Sequence, residues 1–155
     1  PNCHDEASFL AQLYREHRAE GLEIVSLMFE HSADFTQAAS AARRFRKATG
    51  IDYATLIAGR SDGDDAVKAL PQLTGVFAFP TTIWVDRAGV VRKIHAGFSG
   101  PATGAHYTEL TNEFTDFTLG LLAAPGTSEA PTASEPSATS AAPVPSTASV
   151  PSAAR

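Results

Sequence analysis

Apolar positions along residues 1–122 alternate between a helical period and a strand period. Phe9, Leu10, Leu13, Tyr14 and His17 recur at helical spacing, and Glu20-Gly21 closes that run with a residue that tolerates positive φ. Leu22 to Phe29 is a nearly continuous apolar stretch, the pattern of a strand buried on both faces. Asp34 can cap a second helix that runs to about Thr49 and ends at Gly50, and Tyr53 to Ile57 reads as a short strand. Asp62 to Leu70 reads as a short helix stopped by Pro71. Thr82–Val85 and Val90–Ala96 flank Asp86-Arg87-Ala88-Gly89, a turn sequence that makes them an antiparallel hairpin. A last helix is predicted from about Gly104 to Leu122, with Tyr107, Leu110, Phe114, Phe117 and Leu121 on one face.

The order helix, strand, helix, strand, short helix, hairpin, helix predicts an α/β fold: a central mixed sheet with helices on both faces and the hairpin at one side. Its opening on a helix headed by Pro1 carries the expectation that a first strand precedes the chain as given. Composition divides the sequence at residue 122. Every aromatic residue lies at or before Phe117, whereas 27 of the 33 residues from 123 to 155 are Ala, Pro, Ser or Thr. That segment cannot bury enough apolar surface to offset its ordering entropy, so 1–122 is the expected domain and 123–155 a disordered tail. A net charge of −5 with interspersed signs argues against a nucleic-acid surface.

The chemistry concentrates at the start. Cys3 is the one cysteine, placed at the head of the first helix and preceded by Pro1-Asn2. A helix N-terminus stabilises an anion, and a thiol there can take part in thiol–disulfide exchange. Downstream stand Gly21-Leu22-Glu23-Ile24-Val25, Phe79-Pro80-Thr81-Thr82, and Val85-Asp86-Arg87-Ala88-Gly89-Val90-Val91. With Pro1-Asn2-Cys3, and in this order and spacing, they resemble the thioredoxin-like superfamily, and within it the thiol–disulfide oxidoreductases of the TlpA and ResA type.

That resemblance implies a thioredoxin-like fold and a Cys-Pro-Asn-Cys site in which Cys3 is the resolving cysteine and the attacking one precedes Pro1. The chain as given is then expected to be inactive in dithiol exchange. Pro1, Asn2 and His4 would belong to the active-site motif. The Phe79-Pro80 bond would be cis, although residue statistics alone favour trans, and Phe79, Pro80 and Thr81 would hold an incoming peptide. A glutamate near the end of the second element assists proton transfer in ResA-like members, which points to Glu30, with His31 as the alternative at a one-residue shift. The resemblance also implies protein disulfides as substrates, an upstream thiol donor as partner, no cofactor, and work outside the cytoplasm with membrane attachment only through a preceding segment. A redox-inert binding module of the same fold and a thiol peroxidase of the peroxiredoxin branch are the competing functions. The five histidines, His4, His17, His31, His95 and His106, show no metal-ligand spacing, so no metal site is expected.

Overall fold

A computed structural model describes residues 1–61 and 65–125. Helix α1 (Asn2–His17) passes through one 3-10 turn to Gly21, followed by strand β1 (Val25–Glu30) and helix α2 (Phe35–Thr49). Strand β2 (Ala54–Arg60), the short helix α3 (Asp65–Ala69), the hairpin β3 (Thr81–Val85) and β4 (Val91–Ala96), and helix α4 (Ala105–Ala123) complete the order. Asp34 caps α2 as its position predicts, its carboxylate accepting the Gln37 N–H at 2.9 Å, and Gly50 closes the helix in the left-handed region. The segment read as a disordered tail lies, from residue 126 onward, outside the described residues, as do 62–64 at the expected start of α3.

The strands form two two-stranded sheets instead of one hydrogen-bonded sheet: β1 with β2 in parallel, β3 with β4 antiparallel. This arrangement corrects the reading of Leu22–Phe29 as a strand buried on both faces. β1 begins only at Val25 and has a single hydrogen-bonded neighbour, so Val25 is 56% exposed and its parallel partner strand leaves Leu56 54% exposed. β2 in turn extends three residues beyond the predicted Ile57, because its C-terminal half continues the ladder opposite Phe29 and Glu30.

Two apolar clusters flank α1. On one side Ala7 and Ala11 meet Ile51 and Tyr53, with Leu10, Tyr14, Ile24 and Phe45 around them. On the other side Phe9 stacks on Phe98 and meets Phe114 edge-on, both at 6.1 Å between ring centroids. Phe114 is fully buried against Trp84 and Phe98, which puts the predicted apolar face of α4 onto the hairpin. The Trp84 indole N–H donates to the Thr118 hydroxyl at 3.0 Å, so the one polar atom of that ring is satisfied within the cluster. α1 is thereby held from both sides, and the placement of its first turn is fixed by packing of the rest of the helix. Among the described residues no helix is long and apolar enough to cross a membrane.

Candidate active site

The first turn of α1 starts at Pro1, whose carbonyl accepts the His4 and Asp5 N–H groups at 2.9 and 3.1 Å. Cys3 is half-buried there and unpaired. Burial pushes its thiol pKa up, and the carboxyl of Glu6 raises it further. A thiol so placed stays protonated at neutral pH until a neighbour takes its proton. The His4 ring meets Phe45 of α2 edge-on at 4.6 Å. Asn2 is the first residue of the helix and is exposed.

Glu6 is the residue that sequence reasoning missed. It is one of three buried polar side chains among the described residues, with 7% of its surface exposed. Its pKa is pushed up to about 7 by burial, against a hydrogen bond from the Thr82 hydroxyl that favours the charged form. That bond is 2.7 Å long and joins α1 to β3. The buried Tyr53 hydroxyl also sits in the field of Glu6; burial first, then Glu6 and Asp52, push its pKa up. Cys3 and Glu6 stand three residues apart and therefore share a helix face. Glu6 also continues the apolar row Phe9/Leu10, Leu13, His17 toward the N-terminus, and a carboxyl in line with a buried row is the signal that could have found it.

Glu30, by contrast, ends β1, where it pairs with Arg60 in the parallel ladder and accepts the Ser61 N–H at 3.0 Å through its carbonyl. His31 meets the Ser61 hydroxyl at 2.8 Å through Nδ1. The carboxyl whose charge bears on the Cys3 thiol is that of Glu6, one turn along the same helix.

The loop ahead of β3 completes the site. The Phe79-Pro80 bond is cis. Pro80 is buried, and its carbonyl accepts the Gly97 N–H at 2.7 Å, which ties the loop to the segment after β4. Gly97 has φ +89, a conformation that an L side chain rarely adopts, so the residue type suits this return. Thr81 donates its hydroxyl to the Ala78 carbonyl at 2.7 Å. Phe79 is 47% exposed, its ring 5.5 Å from that of Phe29 at the end of β1. Phe77, two residues earlier, is 88% exposed. The Thr82–Glu6 bond thus ties the helix that carries the thiol and the buried acid to the strand that follows the loop at Pro80, where Phe77 and Phe79 are exposed.

The path of the backbone has a counterpart among solved structures. A crystal structure from Chlorobium tepidum, of a protein described as the thiol:disulfide interchange protein DsbE, matches over 79% of this chain and 72% of its own, with a TM-score of 0.57 and 20% identity. The fold is thioredoxin-like. At that identity the likeness lies in the path of the backbone, while the site must be argued from the residues of this chain. No family model and no curated protein matches the sequence. The thioredoxin-like frame agrees with the α/β reading of the sequence.

Proposed function

We propose that this chain serves thiol–disulfide exchange with protein disulfides, with Cys3 as the resolving thiol of a Cys-Pro-Asn-Cys pair and Glu6 as its proton acceptor. The observation that carries the reading is the half-buried Cys3 thiol one turn from a buried carboxyl, itself bonded to the strand that follows cis-Pro80. The attacking thiolate, at the position before Pro1, forms a bond to one sulfur of the substrate disulfide and releases the other as a thiolate. Cys3 gives its proton to Glu6, and its thiolate attacks the enzyme sulfur of the mixed disulfide. The second substrate thiol then leaves. The substrate disulfide gains two electrons, the enzyme dithiol becomes a disulfide, and a thiol donor restores it.

A carboxyl with a pKa near neutrality suits this exchange, since it can accept and return a proton at the working pH. Phe79, Pro80 and Thr81 form the ledge on which an extended peptide carrying the disulfide lies. The proton-transfer role expected of Glu30 passes to Glu6 in this reading. Work outside the cytoplasm accords with it, as does the expectation that the chain bearing Cys3 alone lacks dithiol catalysis.

The test adds one cysteine ahead of Pro1 and follows insulin reduction by dithiothreitol. The protein bearing the pair should accelerate the reaction while the chain with Cys3 alone stays at background. In the pair-bearing protein, Cys3→Ser should arrest the reaction at a mixed disulfide that survives denaturing, non-reducing gels. Background rates and no trapped complex would instead identify a binding module without dithiol chemistry.

A further inference from the structure

Among the threonines of the described residues, most use the hydroxyl locally. Thr49, Thr81, Thr103, Thr111, Thr115 and Thr118 each donate to a backbone carbonyl three or four residues earlier. This back-bonding is the ordinary habit of the residue. Thr82 departs from it: its hydroxyl crosses 76 positions of sequence to a carboxyl. Its backbone is engaged in the β3–β4 ladder opposite His95, so the position of the hydroxyl is set by the hairpin and not by Glu6. The hairpin in turn is fastened to α4 through Trp84 and Thr118. A fixed donor therefore meets a buried acceptor that has few other places to turn.

We propose that Thr82 is the positioning residue of this site, its hydroxyl holding the Glu6 carboxyl toward the first turn of α1 and so fixing the proton exchange between Glu6 and Cys3. The inference rests on the reading of Glu6 and Cys3 as proton partners and adds the group that orients them. Around the Glu6 carboxyl, α1 supplies Cys3, the segment before β2 supplies Tyr53 with Asp52 behind it, and β3 supplies Thr82. Of these, Thr82 is the one that donates a hydrogen bond to the carboxylate, and such a donor favours the charged form. Removing it leaves a buried carboxyl without the bond that favours its charge, so Glu6 should hold its proton to higher pH.

The experiment is a carbon-13 NMR titration of the Glu6 side-chain carboxyl in the chain as it stands, with Glu6→Gln used to assign the resonance. Thr82→Val, which keeps the shape and removes the donor, should move the titration midpoint upward by about one unit, a tenfold change in proton affinity. Thr82→Ser, which restores the hydroxyl, should return it toward the wild-type value. A purely structural threonine would leave the midpoint unmoved in a folded Val variant, and that result would overturn the proposal. If Thr82→Val does not fold, Thr82→Ala carries the same test against Thr82→Ser. Failure of the dithiol reading is separate: it shows as absent insulin reduction by the pair-bearing protein, whatever the titration of Glu6.

Discussion

At the residue scale the site turns on two groups that each disfavour the other's charge. Ionised Glu6 raises the Cys3 pKa, so the thiolate is disfavoured while the carboxylate stands beside it. Glu6→Gln removes that charge and keeps an oxygen to accept the Thr82 hydroxyl. Cys3 should then ionise at lower pH, and its alkylation by iodoacetamide at pH ~8 should quicken several-fold, since each unit of pKa is a tenfold change in thiolate fraction. An unchanged rate would remove Glu6 from the surroundings of the thiol. The thiol itself was legible in sequence, because a cysteine behind Pro-Asn at a helix head is a specific arrangement. The carboxyl was not. In His4-Asp5-Glu6 three polar residues follow one another, and only the third falls in line with the apolar row. Its burial depends on β3 and on Tyr53, which lie 76 and 47 positions away and which no local pattern reveals.

At the element scale, the segment between β4 and α4 closes against α1 at Gly100. A Cβ there would overlap the Asp5 carboxylate and crowd its Cγ at 2.8 Å, so the side chain of Asp5 must move if Gly100 gains a methyl group. Gly100 has φ −74, which places the obstacle in space and not in the backbone. Gly100→Ala should therefore cost about 1–3 kcal/mol in urea unfolding. Asp5→Ala should relieve part of that cost, so the two changes together should be less harmful than their sum. Additive effects would contradict the overlap. Elements governed by short-range signals were readable: the cap at Asp34 and the turn over Asp86 to Gly89, where the Asp86 N–H donates to the Val90 carbonyl at 2.9 Å. The exposure of β1 was not, because a continuous apolar run fixes the character of a strand and leaves its number of neighbours open.

For the whole molecule the titrating groups pull stability in opposite directions with pH. Asp86 is held below the usual carboxylate range by the Val90 N–H, with Ala88 and Arg92 helping, and Glu113 is lowered by its hydrogen bond from Lys93. Groups lowered in the fold contribute stability that is present above their unfolded pKa and is lost as acid protonates them. Glu113 is exposed, so its share is small and sensitive to salt, whereas the Asp86 side chain is mostly covered. Glu6 has the other sign. Its folded pKa of about 7 lies above the ordinary carboxylate value, so its contribution is fully present below about pH 4.3 and is lost as pH rises through 7. Unfolding midpoints should accordingly be highest in mildly acidic buffer and decline toward pH 8. The decline attributable to Glu6 is about 3–4 kcal/mol, given a shift of two to three units at ~1.4 kcal/mol each. Glu6→Gln carries no charge at either end of that window, so its thermal midpoint should be flatter between pH 5 and 8 and should exceed that of the unsubstituted chain at pH 8. Parallel pH curves for the two proteins, measured by circular dichroism under a reducing agent, would show that the buried carboxyl is not ionising within the fold.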